Sequence, residues 1–192
     1  MKFLDRVLSS AAFLLPTITV AAPDTWVYVG AVDKKAEPGI YRTTLDSETG
    51  ELGAVERLIE GEGMGFLAVS PDGGILYAVE SFTDAAPGEP TGGVTALAID
   101  RETGGLARIN SSSIGSRGAC HVCVTPDGQT VATADYGEGK VASFRVLEDG
   151  GIDGPVSLVQ HEGSSIDEKR QTSPHAHCVI PSQVGKYISS AD

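Results

Sequence analysis

Phe66-Leu-Ala-Val-Ser-Pro-Asp-Gly-Gly-Ile-Leu-Tyr-Ala-Val-Glu80 returns fifty-five residues later as His121-Val-Cys-Val-Thr-Pro-Asp-Gly-Gln-Thr-Val-Ala-Thr-Ala-Asp135. In both, a short apolar run meets Pro-Asp-Gly and comes back as a second apolar run. Proline presets φ for an early turn corner, and glycine accepts the positive φ of a later one. Each stretch therefore reads as a β-hairpin. A third, looser copy runs from Ala176 to Asp192, where Pro181 follows Pro126 at the fifty-five-residue interval that separates Pro126 from Pro71. On that proline alignment the third turn, Ser182 to Lys186, is two residues longer.

Working outward, each hairpin leads into a glycine-headed strand, Gly93 to Asp100 in one copy and Gly139 to Val146 in the next. Asp100-Arg-Glu-Thr-Gly-Gly-Leu106 and Glu148-Asp-Gly-Gly-Ile152 follow, matching Asp46-Ser-Glu-Thr-Gly-Glu-Leu52. No segment after Trp26 sustains a helical period. The repeating unit is thus four strands, a to d, over about fifty residues, the signature of a β-propeller blade. A two-sheet sandwich also uses short strands, but has no reason to repeat its sequence at a fixed period. The expected fold class is all-β: a propeller of four-stranded blades, with blade 1 at 26–60, blade 2 at 64–112, blade 3 at 119–160 and the start of blade 4 at 176–192. Blade 1 supplies strands b, c and d, and blade 4 only a and b. An unclosed propeller leaves bare edges, so the chain is expected to be the first three to three and a half blades of a longer protein.

The formal net charge is −12. Nucleic acids and anionic membranes need basic patches, so neither is an expected partner. Lys2 and Arg6 precede a mostly apolar run, Val7 to Val20, closed by Ala21 and Ala22. That is the pattern of an export signal, with 1–22 removed and 23–192 periplasmic or extracellular. Cys120, Cys123 and Cys178 allow at most one disulfide, so the chain is not a disulfide scaffold.

Several motifs taken together, the Glu-Thr-Gly-x-Leu turns, Ser70-Pro-Asp-Gly-x-x-Leu-Tyr-Ala-Val79, Cys120-His121-Val, Ala134-Asp135-Tyr136-Gly137-x-Gly139 and Arg170-Gln171-x-x-Pro174-His175-Ala176-His177, resemble the lactonase family of seven-bladed propellers. That family includes propeller-type 6-phosphogluconolactonase and a fungal muconate lactonizing enzyme. Asp135 stands where the family usually has Asn, and Val79-Glu80 where it has Val-Asn-Glu. The resemblance implies an enzyme, monomeric when full length, that opens a sugar lactone, such as 6-phosphogluconolactone or a related aldonolactone, with no cofactor. A muconate-type cyclase and a non-catalytic binding propeller are the alternative functions.

Lactone hydrolysis needs a base to activate water and a cation to hold the oxyanion. His175 and His177, at i and i+2, share a face if extended, and either suits the base. Arg170, on the long loop from Gln160 to Pro174, suits the cation. These three are the candidate catalytic residues, and His121 and Gln171 are candidate substrate hydrogen-bonders. Glu80 and Asp135 occupy matching ends of strand b, where each is a candidate pocket carboxylate or a cap for the following turn. Cys120-His-Val-Cys123 and His175-Ala-His177-Cys178 superficially suggest zinc. Yet Cys-x-x-Cys in a straight strand points its sulfurs to opposite faces, so no metal is expected.

Overall fold

The computed structural model describes residues 25–33, 35, 37–82 and 92–192, so the expected export segment, 1–22, lies outside the described residues. The described residues form thirteen strands and no helix. Strands β1 (Thr25–Ala31), β2 (Gly39–Leu45) and β3 (Glu56–Glu60) make one antiparallel sheet. The second sheet is β4 (Leu67–Val69), β5 (Ile75–Ser81), β6 (Gly92–Ile99) and β7 (Leu106–Ser113), in sequence order. β8 (His121–Val124), β9 (Thr130–Asp135), β10 (Lys140–Val146) and β11 (Ile152–Gln160) repeat that order, and β12 (Cys178–Pro181) pairs with β13 (Ile188–Ala191). The second and third sheets are four-stranded antiparallel meanders, as a propeller requires, while the first has three strands and the last two.

The core lies between the sheets. On β5, Leu76 and Ala78 pack with Ile40, Ile59 and Met64 toward the first sheet. The alternate residues Tyr77 and Val79 pack with Val122, Val131, Ala142 and Phe144 toward the third. β9 divides in the same way: Val131 faces back, while Ala132 and Ala134 join Val179 of the next sheet and Ala176 just before it. A strand covered on both faces reads as nearly continuous apolar sequence, which is how these segments read. The register slips once in each c–d pair, at Ile40/Tyr41, Ala96/Leu97 and Ser143/Arg145. Such bulges increase strand twist, and their recurrence gives successive blades the same shape.

Turn chemistry also repeats. The Asp72 Oδ1 atom accepts from the Ser70 hydroxyl and the Gly74 amide, and Asp127 Oδ1 accepts from the Thr125 hydroxyl and the Gln129 amide. At the c–d turns, Asp46 and Asp100 each accept two amide hydrogen bonds through Oδ1. The third hairpin corrects the proline alignment. The Ser182 amide donates to the Tyr187 carbonyl, as Ser70 does to Ile75 and Thr125 to Thr130. Its turn therefore has the same length as the others, with Gly185 taking the positive φ of Gly73 and Gly128. Pro181 ends the strand before the turn. The two additional residues lie upstream of β12.

Tyr77 spans two blades: its buried hydroxyl donates to the Gly150 carbonyl at 3.1 Å. Burial, with Asp72 and Asp149 nearby, pushes its pKa up to about 12, so the phenol keeps its proton. Tyr77→Phe should cost about 1 kcal/mol in chemical denaturation, the net worth of one hydrogen bond. The carboxyls of Asp46 and Asp100 are held below the usual range first by backbone amides, those of Thr49 and Thr103. Those of Asp72 and Asp127 are lowered first by the Ser70 and Thr125 hydroxyls. A depressed folded-state pKa gives stability that is present above the unfolded value of about 3.9 and lost as pH falls through the folded one. Thermal melting should hold steady from neutrality to about pH 5 and drop below about pH 4, with Asp100→Ala blunting the drop.

Candidate functional site

In an antiparallel meander the a–b and c–d turns lie on one rim, and the b–c turns and d–a crossings lie on the other. Residues 135–139 form the b–c turn of blade 3, and 161–177 the crossing from blade 3 to blade 4. Gly139, at φ +63°, ties the two together, since a Cβ there would come within 2.6 Å of the Pro174 carbonyl oxygen. Within the crossing, Asp167 Oδ1 accepts from the Lys169 and Arg170 amides, and the Gln171 amide donates to the Asp167 carbonyl. This turn sets Arg170 and Gln171 beside the histidines. Arg170, Gln171, His175 and His177 line one cavity of about 270 Å³, together with Tyr136, Asp167 and Asp192.

His175 and His177 precede β12 rather than lie in it. The extended alternation nevertheless holds, because Ala176 between them is buried. The His175 amide donates to Asp192 Oδ1 at 2.5 Å. Its Nδ1 lies 2.8 Å from the Tyr136 carbonyl oxygen. A carbonyl only accepts, so Nδ1 carries the proton and Nε2 of the neutral ring is left with its lone pair. The Tyr136 ring stacks on His175 at 4.5 Å and 15°, and meets His177 edge-on at 5.1 Å. Asp192 Oδ2 pairs with His161 Nδ1 at 2.9 Å. His175 is thus fixed through its backbone, one ring nitrogen and one ring face.

The same backbone bond identifies equivalent positions in neighbouring blades: His177 donates to the Ala191 carbonyl as Cys120 does to Ala134. His175 and His177 therefore correspond to Gly118 and Cys120 of blade 3. His121 corresponds to Cys178 and, one blade earlier, to Phe66. These three touch in turn: the Phe66 and His121 rings are 4.0 Å apart, and His121 Nε2 is 3.5 Å from Cys178 Sγ. His121 is thus part of the inner ring of strand starts, with no place in the lining of the histidine cavity. Burial, then the charge of His177, lowers its pKa, and its buried Nδ1 has no partner.

Glu80 stands elsewhere. Arg108 grips both its oxygens, at 2.8 and 2.7 Å, and the Thr95 hydroxyl donates to one of them. Asp135 is buried, and its Oδ1 accepts from the Gly137 and Glu138 amides, capping the b–c turn at the edge of a separate cavity lined by Arg117, Cys120 and Tyr136. Two partners escaped sequence reasoning. Tyr136 sits inside the Ala-Asp-Tyr-Gly motif, and Asp192 directly follows β13, at the position that Glu80 and Asp135 take in their blades; the repeat itself was the signal for Asp192. On the opposite rim a cavity of about 310 Å³ lies among Asp72, Asp127, Glu148 and Asp149, with no histidine or cation in its lining. The three cysteines are free thiols, and burial pushes Cys123 up to about 11. Among the described residues no group of three or more His, Cys, Asp or Glu is placed to hold a metal.

The profile of the family described as "Lactonase, 7-bladed beta-propeller" matches residues 26–192. A Bacillus subtilis protein named 6-phosphogluconolactonase is 35% identical over 165 residues, covering 86% of this chain and 45% of its own length. A Bacteroides fragilis structure, provisionally described as a 6-phosphogluconolactonase, superposes with a TM-score of 0.77 at 29% identity, over 91% of this chain and 46% of that one. The Pseudomonas aeruginosa periplasmic gluconolactonase PpgL, at 24% identity and TM-score 0.76 over 87% of this chain and 46% of its own, shares the fold. The chain spans less than half the length of each of these proteins. It belongs to the lactonase family of seven-bladed β-propellers.

Proposed function

We propose that the His175 cavity is the catalytic part of an exported lactone hydrolase acting on a sugar lactone, 6-phosphogluconolactone or an unphosphorylated aldonolactone. The observation that carries this reading is the fixed tautomer of His175, whose free Nε2 shares a cavity with Arg170. The name of the Bacillus subtilis relative, a 6-phosphogluconolactonase, supports the same class. In this reading, His175 Nε2 takes a proton from water as its oxygen attacks the lactone carbonyl carbon. The oxyanion of the tetrahedral intermediate is held by the Arg170 guanidinium, which has no partner among the described residues. Collapse breaks the ring C–O bond, and the departing oxygen takes the proton back from His175. The products are a carboxylate and a hydroxyl, with one proton released as the acid ionises. Tyr136 and Asp192 position the base, while His177 and Gln171 are placed to hydrogen-bond the substrate.

His175→Gln should lower kcat/KM for lactone opening by about 10²- to 10⁴-fold, the range for a general base, with the melting temperature little changed. Arg170→Gln should cost about 10²-fold, as loss of one oxyanion donor does, chiefly in kcat. Rates at the uncatalysed level for the wild-type chain, or full activity in His175→Gln, would overturn the reading and favour a binding propeller. Export rests on the Lys2 to Ala22 pattern. Mass spectrometry of the protein recovered from its native cell envelope should find a mature terminus at Pro23.

A further inference from the structure

We infer that a second cavity beside the histidines takes the uncharged, hydroxyl-bearing tail of the lactone, so that the site selects an unphosphorylated polyol lactone over its phosphate ester. This deepens the lactone-hydrolase reading and rests on it for the placing of the carbonyl end. The second cavity, of about 240 Å³, shares Gln171 and Asp192 with the histidine cavity, so the two lie side by side. Their linings differ in chemistry. Arg170 and both histidines line the first. Glu162, Ser164, Ser165 and Ser173 line the second, which has no Lys, Arg or His in its wall.

Serine hydroxyls and the Gln171 amide both donate and accept, and a carboxylate accepts, so the second compartment matches alcohol groups from either side. At about 30 Å³ per water, its volume accommodates several hydroxymethyl-sized groups. A phosphate there would carry about −1.5 to −2 charges against Glu162 and against Asp192, whose oxygens are already held by the His175 amide and His161, and the wall itself has no Lys, Arg or His. The chain's net charge of −12 adds to that repulsion at longer range. The guanidinium that could bind a phosphate belongs to the compartment where the carbonyl must sit. With the carbonyl against Arg170 and His175, the far end of a sugar lactone falls among serines and carboxylates.

The test uses the two hydrolysis products and the two lactones as probes. D-gluconate and 6-phosphogluconate are titrated calorimetrically into the wild-type chain and into Glu162→Lys, and kcat/KM is measured on glucono-1,5-lactone and its 6-phosphate. Wild type should bind gluconate at least fivefold more tightly than 6-phosphogluconate. Glu162→Lys should shift that ratio by about fivefold toward the phosphate, with the shift shrinking as salt rises. The double variant Ser164→Ala, Ser165→Ala should weaken gluconate by about threefold, as expected for lost hydroxyl contacts. Equal or tighter binding of 6-phosphogluconate by wild type, or an unchanged ratio in Glu162→Lys, overturns the inference. Gluconate selectivity without turnover would sink the catalytic reading and keep the tail-binding compartment. Turnover with the phosphate ester preferred would do the reverse.

Discussion

The structure depends on covering both faces of its β-sheets. Tyr77 and Val79 on one face of β5, and Leu76 and Ala78 on the other, are almost fully buried, which a lone sheet could not achieve. Full burial of such side chains is worth about 1.5–3 kcal/mol each, so the second and third blades are stabilised mainly by the sheets on either side of them. That requirement stacks the blades around an axis and brings equivalent positions of successive repeats into contact. The series Phe66, His121, Cys178 is one consequence, each more than fifty residues from the next in sequence and touching it because each stands at the start of strand a. The candidate site is another, since it forms where the b–c turn of one blade leans on the crossing into the next.

The period of the sequence revealed the blades because the hairpin and c–d turns need particular residues at particular corners, and those residues recur. The error in the third repeat came from trusting proline. Pro71 and Pro126 sit at a turn corner, whereas Pro181 ends a strand, and the conformational need that all three turns share is glycine's positive φ at Gly73, Gly128 and Gly185. The grouping of Arg170, Gln171, His175 and His177 was legible because they lie within eight residues of one another. Tyr136 was not, since a tyrosine in a turn gives no sign of which loop it will stack against. His121 reads in sequence as a partner of the other histidines; it starts β8 in the inner ring, near enough for the charge of His177 to act on it.

Glu80, Asp135 and Asp192 show how one repeat position acquires different work. All three stand at the equivalent position, at or beside the end of strand b. Glu80 is closed in by Arg108, whose guanidinium spans both oxygens. Asp135 turns back on its own chain to cap Gly137 and Glu138. Asp192 reaches across to the crossing, holding the His175 amide with one oxygen and His161 with the other. The backbone fixes where the carboxylate begins, and the neighbouring segment decides what it binds.

The same comparison separates architecture from function at the histidines. A residue required by the blade should recur at its equivalents, as the turn glycines and the buried strand residues do. Gly118 and Cys120 occupy the blade 3 positions of His175 and His177, and both blades form the same backbone bond there, Cys120 to Ala134 and His177 to Ala191. The entry to a blade therefore needs no imidazole. Two of them at one entry, one locked in tautomer by the Tyr136 carbonyl and both set against its ring, are a local addition to a repeating frame. That departure is what marks the junction as a candidate site: the blades supply rigidity by sameness, and at this one place the sequence leaves its own pattern.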